Sequence, residues 1–216
     1  MSAIEVSALY VCSPPRGVYF GLNGVDPWDE GRDARNYPGP HSVVAHPPCA
    51  RWGKYWHGGP NSEKFPRARQ VKGDDGGCFA AALAAVRQWG GVIEHPAGSA
   101  AWEFFQLLKP PHTGGWVSAD WQGGWTCHVE QGHYGHRARK ATWLYACNVS
   151  SLPSLRWGPS QATAFIDDGY HSAEERMAAR SSVERLSKHE RLSTPLPFRD
   201  LLLGIARTAG AQERAA

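Results

Sequence analysis

The stretch Val43-Val44-Ala45-His46-Pro47-Pro48-Cys49 carries a β-branched run directly into two prolines and a cysteine. Proline fixes its own φ and favours extended geometry in the residue before it, so this turn is stiff before any tertiary contact forms. In open α/β sheets, functional groups lie at the carboxyl ends of the strands. The stretch therefore predicts a strand that presents Cys49 as a candidate nucleophile, with a buried structural thiol as the alternative.

The residues that follow predict a parallel β-α-β unit. Cys78–Trp89 shows Ala, Leu and Val at helical spacing, and Gly90-Gly91 ends this helix. A short strand comes next and ends at Glu94-His95-Pro96. Because the carboxyl ends of parallel strands meet at one edge of a sheet, we expect Glu94 to lie near Cys49.

Hydrophobic periodicity predicts the remaining elements. Further β segments are expected over 6–12, 24–29, 115–131 (a hairpin) and 139–147, and helices over 98–108, within 172–192 and over 196–208. This pattern predicts an α/β fold: a Rossmann-like, mostly parallel sheet with flanking helices, a short Gly/Trp-rich β insertion and a C-terminal helical appendage. Residues 1–150 are assigned to an α/β catalytic domain. Residues 151–216 are assigned to a linker and helices that pack on the same domain.

The composition narrows the class of protein. The chain has 216 residues, 42% of them hydrophobic, and no apolar run approaches the roughly 18 residues of a membrane helix. Five dispersed cysteines suggest no disulfide framework, so we expect a cytoplasmic protein without a membrane partner. The net charge of +3 is small, but ten tryptophans, several beside Gly, Arg or His, suit stacking on unpaired bases. Packing in the core is the alternative role for these tryptophans.

Three segments together resemble the catalytic core of the cytosine-C5 DNA methyltransferases. His46-Pro47-Pro48-Cys49 is similar to the Pro-Cys motif of that family. Val92-Ile93-Glu94-His95-Pro96 resembles the strand that ends in Glu-Asn-Val, and Tyr134-Gly135-His136-Arg137-Ala138-Arg139-Lys140 resembles the Gln-x-Arg-x-Arg segment. The order and approximate spacing of the three segments agree with the family.

The resemblance implies a base-flipping enzyme that modifies DNA, either single-stranded or with its target base extruded. Cys49 would add to C6 of the pyrimidine and Glu94 would contact N3 and the exocyclic amine, while Arg137 and Arg139 would hold a phosphate or the base O2. The residues expected to bind the base or the nucleic acid are His46, Pro48, Arg51, Trp52, Lys54, His95 and His136. A compact chain with this divergent resemblance implies a phage or prophage enzyme, which would work in the host cytoplasm.

The chain departs from the family around the cofactor. The resemblance implies S-adenosylmethionine, but Cys12-Ser13-Pro14-Pro15-Arg16-Gly17 stands where the family has its glycine loop. Asp26 or Asp29 is the candidate acidic residue for a cofactor ribose. His95 replaces the Asn of Glu-Asn-Val, Ala50 replaces the Gln after Pro-Cys, and a target-recognition domain is absent. The sequence therefore does not identify the donor of the group that is transferred to the pyrimidine.

Two other classes of function are compatible with the residues. A zinc-dependent enzyme that modifies bases or nucleotides would use His46, Cys49 and His95 as ligands, although no Cys-x-x-Cys pair occurs. A non-catalytic module that binds nucleic acid or a host protein would use the basic and Trp-rich segments without chemistry. Replacement of Cys49 by serine distinguishes these classes, because only the enzymes need the thiol.

Overall fold

The structure, a computed structural model, describes residues 3–15, 17–57, 70–164, 166, 173–178, 184 and 186–209. Its strands are β1 (Val6–Leu9), β2 (Val25–Trp28), β3 (Ser42–Ala45), β4 (Gly91–Pro96), β5 (Val117–Ser118), β6 (Trp125–Glu130) and β7 (Ala141–Cys147). Its helices are α1 (Cys78–Trp89), α2 (Ala100–Phe104), α3 (Ala173–Ala178), α4 (Lys188–Leu192) and α5 (Leu196–Arg207).

The seven strands form one mixed sheet in the order β2-β1-β3-β4-β7-β6-β5. The strands β2, β1, β3 and β4 are parallel, and α1 connects β3 to β4, which confirms the predicted β-α-β unit. The strand β7 is antiparallel to β4, and β6 pairs antiparallel with β7. The predicted α/β class is therefore confirmed. The strand order changes direction at β1, which has β2 on one side and β3 on the other.

Alternating side chains of the strands supply two apolar layers. Val43 and Ala45 belong to the cluster that α1 and α2 cover, whereas Val44 and Val92 belong to the cluster that α5 covers. Phe198 of α5 is completely buried. The predicted C-terminal helix thus forms, and it packs on one face of the sheet as expected. A β-strand that is buried on both faces reads as a continuous apolar run, which is why β3 was recognisable in the sequence.

Two predicted helices differ from the structure. The helix expected over 98–108 ends at Phe104, because Gln106 adopts a left-handed φ of 57° that no helix continues through. The helix-prone segment 172–192 contains the short helices α3 and α4. A capping box, in which Ser187 and Glu190 exchange hydrogen bonds, fixes the start of α4. Residues 58–69 of the predicted loop and the predicted disordered end at 210–216 lie outside the described residues.

The start of β4 requires a glycine. Gly91 has a φ of +129°, and a Cβ on this residue would lie 1.9 Å from the carbonyl oxygen of Val43 on β3. Gly91→Ala is therefore expected to lower the free energy of unfolding by at least about 3 kcal/mol, because the β3–β4 ladder must separate. Gly123→Ala is the control, since Gly123 has φ +81° and open space around it. Urea unfolding measures both, and equal losses would contradict the steric explanation.

Candidate functional site

The pairing of β3 with β4 brings His46 next to Glu94. Val44 is paired with Val92 and Ala45 with Ile93, so the next residues of the two strands are neighbours at the carboxyl edge. Both side chains point to the face that α5 covers, because side chains alternate along a strand. The Nδ1 atom of His46 lies 3.0 Å from Oε2 of Glu94. The side chains are only 14% and 13% exposed, respectively.

A tyrosine completes the environment of the imidazole. The hydroxyl of Tyr19 lies 2.8 Å from Nε2 of His46, and Tyr19 is almost fully buried. Burial and the nearby Glu94 charge raise the pKa of Tyr19 well above its usual range, so its hydroxyl keeps its proton and donates. Because a carboxylate only accepts, Nδ1 of His46 carries a proton and donates it to Glu94. The two contacts together fix the orientation of the His46 ring.

The other carboxylate oxygen of Glu94 is held from the antiparallel side of the sheet. The Nε2 amide of Gln131 donates to Oε1 of Glu94 and to Oγ1 of Thr142, both at 3.0 Å. Gln131 follows β6 and Thr142 lies on β7. Within the described residues, Oε1 of Gln131 is buried without a hydrogen-bond partner. Since both amide protons are in use, the side chain of Gln131 is locked and holds Glu94 in one position.

The charge of Glu94 is the electrostatic centre of this network. Burial acts to raise the pKa of Glu94, but the hydrogen bond from His46, the electrostatic attraction of that imidazole and the Lys140 cation outweigh it and lower the pKa to about 2. Glu94 is therefore ionised throughout the neutral range. A buried carboxylate that is held by two donors and a cation is typical of a functional site, and structural ion-pair networks share this feature.

Cys49 and Lys140 lie within the electrostatic reach of Glu94. Burial and the Glu94 charge raise the pKa of the Cys49 thiol, whereas Lys140 opposes this rise. Burial lowers the pKa of Lys140, although Glu94 and Cys49 act against that shift. The ammonium of Lys140 donates to the carbonyl oxygen of Ser193 at 2.7 Å, immediately before α5. The charge of Glu94 thus acts on both a thiol and an ammonium.

The predicted base-contacting residues His136, Arg137 and Arg139 are not part of this network. Arg137 is exposed, and its guanidinium pairs with Glu184 and, at 2.6 Å, with Glu190. Arg139 is also exposed. His136 is buried, and its Nε2 atom lies 3.1 Å from the Glu190 carbonyl oxygen, so it fastens α4 to the segment before β7.

Trp52 and His95 occupy the core on the opposite face of the sheet. The indole nitrogen of Trp52 donates to Asp75 at 2.7 Å, and the residue is 2% exposed. His95 is fully buried against Phe79 and Trp102, and burial lowers its pKa to about 4. Both side chains therefore pack α1 and α2 onto the sheet and have no access to a ligand at Glu94.

Three predicted nucleic-acid contacts remain at the surface near the cysteine turn. Pro48 and Lys54 are exposed, and the Lys54 ammonium lies 5.4 Å from the centroid of the Tyr55 ring. The Nε atom of Arg51 donates to the carbonyl oxygen of Asp74 at 3.2 Å. Pro48 and Lys54 therefore remain accessible to a ligand, and Arg51 is half-buried.

The two candidate ribose-binding carboxylates lie at the end of β2. Asp29 follows the strand directly and accepts a hydrogen bond from Ser13 at 2.8 Å. Asp26 forms an ion pair with Arg32 at 2.5 Å. The described residues between β1 and β2 form turns and no helix, so the helix N-terminus that usually receives a dinucleotide phosphate is missing there. The residues present therefore do not fit the family's S-adenosylmethionine loop.

The residues of the zinc alternative are separated by the sheet. His46 points to the face that α5 covers, whereas His95 is buried on the face that α1 covers. Within the described part of the chain, no group of three or more His, Cys, Asp or Glu side chains is arranged to hold a metal ion.

Four residues of the network escaped the sequence analysis: Tyr19, Gln131, Lys140 and Thr142. A signal for Lys140 existed, because it ends the basic segment directly before β7 and so comes to the carboxyl edge of β4. Tyr19 and Gln131 lie in turns that follow or precede strands, where sequence periodicity gives no direction for a side chain. Their positions follow from tertiary packing alone.

Comparison with protein-family models, with curated proteins and with solved structures finds no significant match. Among the described residues, no helix is long and apolar enough to cross a membrane. The function therefore has to be inferred from the geometry of the site.

The hydrogen bond between Tyr19 and His46 can be tested on its own. Tyr19→Phe removes the donor and leaves a buried ring nitrogen unpaired, so the free energy of unfolding is expected to fall by about 1–2 kcal/mol. Tyr55→Phe is the control, since it removes a hydroxyl from a residue whose described contact is a ring–cation one. Urea unfolding of both variants measures the difference. An unchanged stability of the Tyr19 variant would contradict the assigned donor.

Proposed function

We propose that this protein is a nucleic-acid pyrimidine-modifying enzyme that resembles the cytosine-C5 DNA methyltransferases. The observation that carries the proposal is the buried carboxylate of Glu94 at the carboxyl edge of β4, held by His46 and Gln131, whose charge acts on the thiol of Cys49 in the turn after the adjacent parallel strand β3. The parallel strands β2, β1, β3 and β4, with their change of direction at β1, support a Rossmann-like sheet. The substrate class is a cytosine in single-stranded DNA or flipped from a duplex.

The chemistry begins with a proton transfer. Cys49 must lose its proton to solvent to become a nucleophile, because the pKa of Glu94, about 2, is far below that of the thiol. The thiolate sulfur then forms a bond to C6 of the ring, the electron pair of the C5–C6 double bond moves to C5 and into the ring, and N3 takes a proton from water that Glu94 relays. The adduct is neutral, and C5 has become nucleophilic.

The surrounding residues support each part of this step. Gln131 and His46 hold the carboxylate in place, so it needs little reorganisation as the proton moves. The Lys140 cation acts on both Glu94 and Cys49 and stabilises the ion pair state in which the thiol is deprotonated. Tyr19 keeps the His46 proton directed at Glu94. These four residues are positioning residues, and Cys49 and Glu94 would contact the base.

The addition can be measured without a group donor. When C5 of the adduct takes a deuteron from D2O, loses its proton and then expels the thiolate, the cytosine keeps a deuterium at C5. We expect the protein to catalyse this exchange in a single-stranded oligonucleotide that contains cytosine, and the H5 signal in the NMR spectrum reports it. No exchange in cytosine or uracil oligonucleotides would contradict the proposed function and favour a binding module.

A further inference from the structure

A cleft lies at the carboxyl edge of β4, on the face of the sheet opposite to Glu94. It has a volume of about 820 Å³, and Trp143, His128 and Ala141 of β6 and β7 form its floor. Trp143 is paired with His95, the residue after Glu94, so the cleft and the proposed site are separated by the ends of β4 and β7. The volume is in the range of pockets that hold a small ligand.

The floor of the cleft is aromatic and rigid. Trp143 is 5% and His128 7% exposed, and the indole nitrogen of Trp143 donates to Nδ1 of His128 at 3.2 Å. That hydrogen bond places the proton of the neutral His128 on Nε2, which leaves a donor on a ring that lines the cleft. His112 packs edge-on to His128, with 4.9 Å between the ring centroids. Because Trp143 and His128 are almost fully buried, the exposed ring of His112 is the one available for stacking, and a flat heteroaromatic ring fits there because it can also accept a hydrogen bond.

The rim of the cleft carries charges of both signs. The carboxylate of Glu103 is held by Lys109 at 3.1 Å, and Glu130 accepts a hydrogen bond from the backbone of Ser160 at 2.7 Å. Within the described residues, no carboxylate lies in ion-pair distance of Lys72, the other ammonium of the rim. Since Lys109 is paired with Glu103, the Lys72 ammonium is the cation of the rim that remains for an anionic group of a ligand. This arrangement favours a ligand with an aromatic ring and one phosphate.

We propose that this cleft is a nucleotide subsite, which holds one nucleotide of the same single strand beside the target pyrimidine. The strand passes over the ends of β4 and β7, with one base at Glu94 and a neighbouring base against His112, above the buried Trp143. The identity of the strand rests on the proposed function, whereas the binding of a nucleotide to the cleft can be measured without it.

The test uses the Cys49→Ser protein and deoxycytidine monophosphate as the probe. We expect the probe to shift the indole NMR signal of Trp143, and deoxycytidine or inorganic phosphate alone to bind about tenfold more weakly or less. Lys72→Ala and His112→Ala are each expected to weaken the binding of the probe about threefold to tenfold. Both side chains are exposed, so the variants should fold.

Arg207→Ala is the charge-matched control, because Arg207 is exposed and pairs with Glu5 at the opposite edge of the sheet. It should leave the binding of the probe unchanged. The subsite would be overturned if the probe does not shift the Trp143 signal. It would also be overturned if Lys72→Ala and His112→Ala bind the probe as well as the parent protein does. If the cleft does not bind the probe but the wild-type protein still exchanges the cytosine H5, the proposed function stands. If the cleft binds the probe but no H5 exchange occurs, only the proposed function is contradicted.

Discussion

Glu94→Ala is expected to lower the free energy of unfolding by about 3–5 kcal/mol at neutral pH. The substitution leaves the Nδ1 proton of His46 and an amide proton of Gln131 without an acceptor in a buried place. It also removes the carboxylate that faces the partly buried Lys140. Urea unfolding monitored by circular dichroism measures the loss.

Glu94→Gln is the matched control for this prediction. An amide at position 94 can accept from Gln131 through its oxygen and donate to Nδ1 of His46, once that imidazole moves its proton to Nε2. We therefore expect a loss of only about 1 kcal/mol. Equal and small losses for the alanine and glutamine variants would contradict the network.

The same pair of proteins tests the low pKa of Glu94. Its folded pKa of about 2 is below the ordinary carboxyl value of 4.5, so the ionised form stabilises the fold above pH 4.5. This stabilisation, about 3 kcal/mol, is lost as the pH falls from 4.5 towards 2. The stability of the wild-type protein relative to Glu94→Gln should fall by that amount between pH 6 and pH 2, so that the glutamine variant becomes the more stable of the two at pH 2. A constant difference would show that Glu94 has an ordinary pKa.

Cys49→Ser is expected to reduce the exchange of the cytosine H5 by at least about a thousandfold, because a serine hydroxyl at neutral pH cannot replace a thiolate. Cys78→Ser is the control, since Cys78 lies at the start of α1 and has no role in the network. Glu94→Gln should reduce the exchange about 100- to 10,000-fold, the range for loss of a proton-transferring group. Exchange at the wild-type rate in the Cys49 variant would contradict the assignment of the nucleophile.

The raised pKa of Cys49 gives this exchange a pH dependence. At neutral pH the thiol is mostly protonated, because burial and the Glu94 charge raise its pKa above the ordinary 9.0. The fraction of thiolate increases as the pH rises towards that pKa. We expect the exchange rate to increase from pH 7 to pH 9 in the wild-type protein, and a rate that falls over this range would contradict the thiol as the source of the nucleophile.

Local sequence patterns predicted the elements that carry the site. The helix α1 has the predicted bounds, and β3 and β4 lie where the apolar runs before His46 and Glu94 placed them. The parallel β-α-β connection predicted that the end of β4 lies next to the turn after β3, and the contact of Glu94 with His46 confirms this. The alternation of side chains along a strand also predicts that His46 and Glu94 share a face. Each lies two positions after Val44 or Val92, which pack in the same apolar layer.

The other parts of the site depend on contacts between distant segments. The antiparallel insertion of β7 beside β4 brings Thr142, Lys140 and Gln131 to Glu94, and no local pattern specifies that pairing. The prediction for Trp52 was wrong for the same reason, because its partner is distant in the sequence. Its basic neighbours in sequence suggested a base contact, but a hydrogen bond to Asp75 holds it inside the core. Burial of single aromatic residues is decided by tertiary packing.

The central claim is that Cys49 adds to C6 of a pyrimidine beside Glu94. A single-stranded oligonucleotide that contains 5-azacytosine tests it most directly. After the thiolate adds to C6 of this ring, the nitrogen at position 5 takes a proton, and the bond between C6 and the Cys49 sulfur is retained. Intact-mass spectrometry should show one oligonucleotide bound per protein chain, and peptide mapping should locate it on Cys49. The adduct should be absent in Cys49→Ser and present in Cys78→Ser. An adduct on another residue, or none in the wild-type protein, would contradict the account.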